Sequence, residues 1–479
     1  MLTLPVSYIV TFFPLLGAFF VLNVDKERPE NAMAVTLWAT SSAFLFAMLQ
    51  LFVPNLSKII THDVVSHFVN KLPGWYSANL DNFSVLFVTF VCFVSLLSVI
   101  WIRHHKITYQ KSFFISLLLF EVFTIAAFYS TDMFLLFFCM ESTMIPLYTM
   151  MLSHDKEADS QGSKNRSYVL RYLLYGMASA LLILTAIIMI YLETKTSDLF
   201  EIYKIGVKNE AVFWILLLGI GIKMPIWPFC NWLPTVHTKA NVICSVILAS
   251  IVLKFSTLII LRFISPLFHD HITHYNTFLF MACFVSILIA IANIFRQDDL
   301  KRFFSYFSII HMNLYFLIFI NNGGGNNFIY AMLQHSLISV IMFFTIDIIG
   351  DLYGTRSMHE IRESCKQIRG LRMFLLCIFL ALIGIPLTSG FIAEIMVIYS
   401  VSNTSYIQAT MILLLMVAIS TYTFYVYHVT FGKRKKNRQQ NEVIEPFATR
   451  HDRKAAITVC YLLILLLGIC PKLVTSVLN

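Results

Sequence analysis

Charged residues are scarce in this sequence. Aspartate, glutamate, lysine and arginine together make up 13% of its 479 residues, against about 25% in soluble domains. This deficit excludes a water-soluble protein. Hydrophobic residues reach 58%, and apolar runs of about 20 residues, the length that crosses a bilayer as a helix, recur from end to end. No long polar stretch marks a linker, so the composition predicts a membrane protein with many spans.

Cofactor-binding motifs are also missing. None of the nine cysteines belongs to a C-x-x-C pair, which excludes the usual spacing of iron–sulfur and structural zinc sites. There is no G-x-G-x-x-G, no Walker loop and no flavin signature, so we expect no cofactor, metal or redox centre in this chain. The run HDHITH (269–274) contains metal-binding residue types. It lies on a polar connection, however, and we interpret it as a solvated loop.

Fourteen apolar windows predict an all-α polytopic membrane protein with about fourteen transmembrane helices. The first window lacks a preceding basic region and a clear cleavage site, so we interpret it as a span and not as a signal peptide. The predicted spans are residues 5–23, 32–53, 82–102, 113–130, 132–152, 170–192, 211–229, 242–264, 275–294, 303–320, 327–349, 371–395, 405–430 and 455–470.

Basic residues are distributed unevenly between the two sides of this arrangement. The odd-numbered connections hold 26 lysines and arginines, Lys301 and Arg453 among them, and the opposite side holds six. Because cytoplasmic connections are enriched in lysine and arginine, both termini are predicted to face the periplasm or the intermembrane space. Topology thus explains the net charge of +9. We expect the basic run 433–438 to contact anionic lipid, and we expect no nucleic-acid partner.

A further group of residues is ionisable and falls inside the predicted spans, where an isolated charge is costly. Lys223 and Lys254 lie deep in their windows, whereas Arg262 is near enough to a helix end for its side chain to reach the interface. The acids and histidines of the group are Glu121, Glu141, Asp347, Glu394, His311 and His335. Either these residues form ion pairs that hold helices together, or water links them into a proton path. The mixture of carboxylate, amine and imidazole favours the path, although Glu121 and Asp347 taken singly fit a structural role better.

Two predicted spans are interrupted by proline and glycine. Span seven contains GIKMPIWPF (221–229), and span twelve contains GIPLTSGFIAE (384–394). Interrupted helices in corresponding positions of two repeats mark ion sites in transporters. Since the two spans are five apart, we predict two inverted five-helix repeats, spans 4–8 and 9–13. The predicted segments are therefore 1–110 with three helices, 111–264 and 275–430 with one repeat each, and 431–479 with a basic loop and the last helix.

At these residues the sequence resembles the antiporter-like membrane subunits of respiratory complex I, a family shared with Mrp-type cation/proton antiporters. The resemblance covers roughly residues 80–470 and rests on motifs that occur in the family's order. These motifs are FFCMESTMIPLY (137–148), GIKMPIWPFCNWLPTVHTKANVICSVILASIVLKF (221–255), DDLKRFFSYFSIIHM (298–312), LQHSLIS (333–339) and GIPLTSGFIAE (384–394).

The resemblance implies a proton relay. Its members are the pair Glu141 and Lys223 beside an input channel, the central Lys254, the connecting His311 and His335, the output residue Glu394 and, as an optional member, His237. The resemblance also implies a subunit that couples quinone reduction to proton pumping in NADH:ubiquinone oxidoreductase, in the mitochondrial or bacterial inner membrane. NADH, FMN, iron–sulfur clusters and ubiquinone would bind to other subunits. Two sister antiporter-like subunits and membrane lipids would be its neighbours.

Two alternatives stay open at this point, an Mrp-type antiporter subunit and a scaffold that has lost transport. Glu394 argues against the first, because Mrp paralogues and the two sister subunits usually carry lysine there. Retention of the acids and lysines argues against the second.

Several positions within the matched motifs depart from the family pattern. Cys230 stands where histidine is usual, Lys239 replaces glutamate and Asn241 replaces proline, while Thr235, Cys244 and Ser336 are further departures. A buried thiol is a poor proton carrier near neutral pH. We therefore expect Cys230 to be a packing residue, and protons to pass between Lys223 and Lys254 through water.

Overall fold

Nearly all of the described residues are helical in the computed structural model of the chain, which confirms the all-α prediction in outline. Two four-residue strands, β1 (Lys366–Arg369) and β2 (Val443–Pro446), pair in parallel and were not expected. The structure describes residues 6–25, 29–52, 81–103, 111–155, 167–321, 324–364, 366–432, 443–446 and 451–478. Several basic residues in the count of the two sides lie outside the described residues: Lys26, Arg28, Lys58, Lys71, Lys106, Lys156, Lys164, Arg166, the run 433–438 and Arg450.

Among the described residues, eleven helical segments precede residue 240, and further helices follow. Up to residue 223 the helices are α1 (Val6–Asn23), α2 (Pro29–Phe52), α3 (Asn82–Ile102), α4 (Lys111–Tyr129), α5 (Met133–Ser142), α6 (Met144–Asp155), α7 (Ser167–Thr194), α8 (Leu199–Ile205) and α9 (Glu210–Lys223), and the next two are a 3₁₀ turn (Phe229–Asn231) and α10 (Trp232–Lys239). Then come α11 (Val242–Ile247), a π-helical turn (Leu248–Val252), α12 (Lys254–Ile259), a second π-helical turn (Ile260–Ile264), α13 (Ser265–Leu267), α14 (His269–His274), α15 (Asn276–Ile294), α16 (Leu300–Ile320), α17 (Gly325–Tyr353), α18 (Met358–Glu363), α19 (Leu371–Ile383), α20 (Ser389–Ser402), α21 (Tyr406–Phe431), α22 (His451–Ile469) and α23 (Lys472–Leu478).

The chain divides into two compact units. The first comprises residues 1–223, 258–269 and 477–479, and the second comprises 224–257 and 270–476. This division follows contacts within the chain, whereas the segments predicted from the sequence follow repeats. The inverted repeats and their boundaries therefore stay predictions.

Ten helical stretches in the described ranges are long and apolar enough to cross a membrane. Three of them, Val242–Leu267, Leu300–Ile320 and Gly325–Tyr353, are almost wholly buried. On α7, by contrast, Leu174 and Leu181 are exposed, as expected of a helix whose outer face meets lipid. Further apolar helices are shorter than a full span, α19 and α20 among them. The exact number of fourteen spans stays a prediction.

The helix of span seven ends at Lys223, where the sequence predicts an interruption. Pro225 and Pro228 cannot donate backbone hydrogen bonds and do not fit a helix interior. Polar side chains of the second unit serve the freed backbone groups. Trp227 N donates to Ser286 Oγ at 2.8 Å, and Asn313 Nδ2 donates to the Pro225 carbonyl at 3.5 Å. Such substitutes for the helical ladder allow irregular backbone inside a membrane protein.

Arg262 does not extend to the interface, so the prediction for this residue was wrong. It is 8% exposed, and its Nη2 lies 2.9 Å from both Asp81 Oδ1 and Ser84 Oγ. The Tyr203 hydroxyl donates to the Arg262 carbonyl at 2.7 Å, and burial raises the pKa of Tyr203 to about 12. The phenol therefore stays an uncharged donor at neutral pH. A helix-end arginine can extend outward, but here a carboxylate within the first unit provides a nearer partner.

Helices α7 and α9 pack closely in the first unit because Gly219 has no side chain. Ser179 Oγ donates to the Gly219 carbonyl at 2.7 Å. A Cβ added to Gly219 would lie 2.8 Å from Ile183 Cγ1, closer than such atoms normally approach. Small residues commonly permit this approach between membrane helices. Because α9 ends at Lys223, this contact helps to position that lysine.

We expect Gly219→Ala to lower the melting temperature of the detergent-solubilised protein. Overpacking costs about 1–3 kcal/mol, whereas alanine gains about 1 kcal/mol over glycine within a helix. Gly325→Ala is the matched control, because a Cβ there meets nothing within 4 Å. The control should keep or raise the melting temperature. Equal melting temperatures for the two variants would contradict the close approach of α7 and α9.

Candidate functional site

An ion pair between Glu141 and Lys223 lies in the first unit. Lys223 Nζ is 2.9 Å from Glu141 Oε1, and the two side chains are 9% and 14% exposed for lysine and glutamate respectively. The contact is an ion pair without the directional geometry of a hydrogen bond. Glu141 stands in the last turn of α5, and Lys223 is the last residue of α9. An ammonium at a helix C-terminus also interacts favourably with the helix dipole.

Lys254 lies in the second unit and is completely buried. Its Nζ is 2.6 Å from His335 Nδ1, 3.1 Å from the Ala249 carbonyl and 3.8 Å from Met312 Sδ. Among the described residues, no carboxylate lies within ion-pair distance of this amine. A lysine and an imidazole at hydrogen-bond distance can share one proton, since either nitrogen can be the donor and the other the acceptor.

Aromatic and amide side chains extend this contact within the second unit. The His311 and His335 rings have centroids 6.0 Å apart, and His311 stacks on Tyr315 at 5.5 Å. The Tyr315 hydroxyl donates to Gln334 Oε1 at 2.7 Å. Tyr315 and Gln334 are buried and were not singled out from the sequence. Their positions contained a signal, because Tyr315 is four residues after His311 on one helix and Gln334 precedes His335.

Glu394 lies where span twelve is interrupted. Helix α19 ends at Ile383, and Gly384 follows with a φ of +74° before α20 begins. The Glu394 carboxylate folds back over Gly384, since a Cβ on that glycine would lie 2.7 Å from Glu394 Oε1. The interruption therefore makes room for the carboxylate.

His237 is held in the second unit without a polar partner. Its ring stacks on Phe343 with centroids 4.7 Å apart and an angle of 17° between planes. Both ring nitrogens are buried, and no described group hydrogen-bonds to either of them. A buried polar atom without a partner is uncommon.

The predicted relay residues are thus grouped in two places. Glu141 contacts Lys223 in the first unit, and in the second unit His335 contacts both Lys254 and the His311 ring. In the described part of the chain, neither His237 nor Glu394 bonds directly to Lys254.

Two departures from the family pattern have simple structural settings. Cys230 is 2% exposed, and its Sγ lies 3.9 Å from Asn231 Oδ1. Asn241 caps α11, because its side chain accepts a hydrogen bond from Cys244 N at 2.7 Å. Asparagine is a favoured helix cap.

Two basic residues that were counted in solvated connections are buried instead. Arg453 was counted in the basic loop, but it is 6% exposed and lies 2.5 Å from Asp351 Oδ2 and 3.9 Å from Asp347 Oδ2. Lys301 was counted in a connection but is 4% exposed. Glu121, which the sequence places inside a predicted span, is fully buried.

The run HDHITH forms the short helix α14. Within the described ranges there is no group of three or more His, Cys, Asp or Glu side chains placed to hold a metal ion.

Comparisons with known proteins show the family of the chain. A family model described as "NADH:quinone oxidoreductase/Mrp antiporter, TM" matches residues 130–423, more than half of the chain. The chain is 26% identical over 470 residues to NADH-ubiquinone oxidoreductase chain 4 of Marchantia polymorpha, with 96% of this chain and 92% of that protein covered. It is 27% identical over 500 residues to NADH-quinone oxidoreductase subunit M of Rhodobacter capsulatus, with 98% and 94% covered.

Two solved structures show the same fold. A chain of respiratory complex I from Thermus thermophilus matches with a TM-score of 0.78 at 20% identity, covering 98% of this chain and 99% of that one. A chain of the Mrp complex from Dietzia sp. DQ12-45-1b matches with a TM-score of 0.81 at 16% identity, covering 99% and 96%.

We expect Gly384→Ala to impair proton transport by displacing the Glu394 carboxylate. The added methyl group would occupy space within 2.7 Å of that carboxylate. Gly354→Ala is the matched control, because its φ is also +74° but a Cβ there meets nothing within 4 Å. Both variants carry similar backbone strain, of about 1–2 kcal/mol. Transport assays in vesicles should show a several-fold loss for Gly384→Ala alone, and equal losses in both variants would contradict the role of Glu394.

Proposed function

The chain belongs to the membrane-subunit family shared by NADH:quinone oxidoreductases and Mrp antiporters, and from that premise we propose that it moves protons as a membrane subunit of an NADH:quinone oxidoreductase. Its named relatives are chain 4 and subunit M of such enzymes. We propose that this chain occupies the corresponding position in such an enzyme.

The observation that carries the proposal is the Glu141–Lys223 ion pair at 2.9 Å. A pair of opposite charges inside a membrane helix bundle is expensive to desolvate, and intramembrane charges commonly mark ion paths. The pair lies where α9 stops, so the irregular backbone that follows can change shape more easily than a helix. Separating Glu141 from Lys223 would leave two uncompensated charges. The free energy of that state would depend strongly on proton binding.

Proton transfer in the second unit would use the Lys254–His335 contact. At 2.6 Å a proton can pass between amine and imidazole with little movement of either nitrogen. His311 and Tyr315 lie next in contact, and Gln334 and Glu394 follow. We propose that this row carries protons toward Glu394, as the family resemblance implies.

The chain would act as a subunit without a redox centre. We propose that quinone reduction takes place on other subunits and that two sister antiporter-like subunits are its neighbours. A mitochondrial or bacterial inner membrane is the proposed location, with both termini on the intermembrane-space or periplasmic side.

The alternative, a subunit of an Mrp antiporter, has weaker support. The Mrp complex shares the fold at 16% identity, which says nothing about transported ions. Glu394 and the named relatives both favour the oxidoreductase.

We expect Glu141→Gln to leave the complex assembled and to reduce proton pumping several-fold. Amide and carboxyl groups have nearly the same shape, but the substitution removes the negative charge and leaves Lys223 without its counter-ion. The measurement is the number of protons pumped per NADH oxidised in sealed vesicles.

Glu121→Gln is the control for this experiment. Glu121 is a buried membrane acid without the lysine partner, so we expect a milder effect on pumping. If Glu141→Gln pumped as many protons as the unsubstituted protein, the proposed role of the ion pair would be refuted.

We also expect a tag fused after residue 479 to be protected in vesicles whose cytoplasmic or matrix face points outward. The 26-to-6 distribution of basic residues predicts this orientation. A protease assay before and after permeabilisation measures it, with a tag in a soluble cytoplasmic enzyme as the exposed control. Digestion of the tag in intact vesicles would disprove the proposed topology.

A further inference from the structure

The turn that follows α19 contains a strained residue. Leu387 has a φ of +81°, a conformation that is an outlier for a bulky side chain and that costs about 1–2 kcal/mol. The Leu387 side chain is 66% exposed, so packing of that side chain does not explain the conformation. Strain of this kind persists only where the surrounding structure holds it, and it is concentrated at functional sites.

Helix α22 lies directly against this turn. Gly468 stands in the last turn of α22. A Cβ added to Gly468 would overlap the Leu387 carbonyl oxygen and the Thr388 carbonyl carbon, and it would lie 2.7 Å from the Leu387 carbonyl carbon. These are backbone atoms, which cannot rotate away as the end of a long side chain can. The close approach of α22 therefore requires glycine at position 468.

Contacts with α17 hold α22 in this place. The buried Tyr330 hydroxyl donates to the Leu467 carbonyl at 2.9 Å, and Leu467 directly precedes Gly468. Near the other end of α22, Arg453 Nη1 lies 2.5 Å from Asp351 Oδ2. The two contacts are about 21 Å apart along the axis of α22. Helix α22 is therefore fixed to α17 near both of its ends.

The strained turn also sets the position of the Glu394 carboxylate. Thr388 N and Thr388 Oγ1 donate to the Ile385 carbonyl at 3.1 Å and 2.7 Å, so residues 385–388 form a closed turn. This turn joins Gly384 to α20, and Glu394 on α20 extends its carboxylate back over Gly384. A shift of the Leu387–Thr388 backbone would therefore change the distance between Gly384 and that carboxylate.

We propose that Gly468 is a positioning residue for Glu394, because it allows α22 to hold the Leu387–Thr388 backbone in the strained turn that places the carboxylate over Gly384. The inference rests on the proposed function, in which Glu394 ends the proton relay. Gly468 carries no proton itself and acts through the turn. The output end of the relay thus depends on a helix that carries none of the relay residues.

A purely structural contact would have different consequences. Overpacking at Gly468 would then lower stability by about 1–3 kcal/mol and reduce the amount of assembled complex. Each complex that did assemble would pump protons as before, with the same dependence on pH. A displaced Glu394, by contrast, would titrate among different neighbours. The pH dependence of pumping by the assembled complex therefore separates positioning from stability.

The experiment measures Gly468→Ala in the assembled complex in sealed vesicles. We expect a several-fold loss in protons pumped per NADH oxidised, together with a shift of the pH at which pumping is half-maximal. Gly350→Ala is the matched control, because it is the same substitution within a helix of the second unit, but a Cβ there meets only Arg356 Cγ, at 3.8 Å. The control should pump normally at every pH. A native gel measures assembly, so that a folding defect is not mistaken for a transport defect.

Normal pumping in Gly468→Ala overturns the inference, and so does a loss of pumping without a shift in its pH dependence. If Gly468→Ala does not assemble, Tyr330→Phe decides, because it removes the hydrogen bond that holds Leu467 and leaves Gly468 in place. A loss of pumping with a shifted pH dependence in Tyr330→Phe supports the inference. Normal pumping there, or a loss with the pH dependence unchanged, overturns it.

Glu394→Gln separates this inference from the proposed function. Normal pumping in Glu394→Gln refutes the role of Glu394 as the end of the relay. A loss of pumping in Glu394→Gln, with normal pumping in Gly468→Ala, refutes only the positioning role of Gly468.

Discussion

Hydrocarbon offers no hydrogen-bond partners, and this constraint shapes the whole chain. Backbone groups must bond within a helix or to other protein groups, so nearly every described residue is helical. Where a helix stops, at Lys223 or at Ile383, side chains must replace the missing ladder. Ser286 and Asn313 do so after Lys223. Ionisable groups lie at the same places, because polar groups that hydrogen-bond to unpaired backbone atoms also stabilise a charged side chain.

The two units use different polar contacts. Glu141 and Lys223 attract each other as opposite charges, and such attraction changes gradually with separation and with the surrounding dielectric. Lys254 and His335 share a hydrogen bond, which forms only over a short distance but allows a proton to pass from one nitrogen to the other. An ion pair is thus suited to respond to a change in shape, and an amine–imidazole contact is suited to transfer.

Much of the fold could be predicted from the sequence, because a helix in lipid must be apolar along its length and proline or glycine marks its interruptions. The ends of α9 and α19 follow that rule. The burial of Lys301 and the partners of Arg262 and Arg453 could not be predicted in this way. A hydropathy window averages over several turns and does not show which helix packs against a given residue. The Lys254–His335 contact joins residues 81 positions apart. Here only the family resemblance, not spacing or composition, suggested that the two residues act together.

The π-helical turn Leu248–Val252 has a consequence for Lys254, which follows it closely. In such a turn the hydrogen-bond ladder shifts by one residue, and Leu253 N bonds to the Leu248 carbonyl. The next carbonyl, that of Ala249, meets the Lys254 side chain at 3.1 Å. A backbone dipole thus takes the place that a hydration water would have around a free ammonium ion. The fold supplies a fragment of a solvation shell that is built into the helix and cannot diffuse away, at a depth where bulk water is excluded.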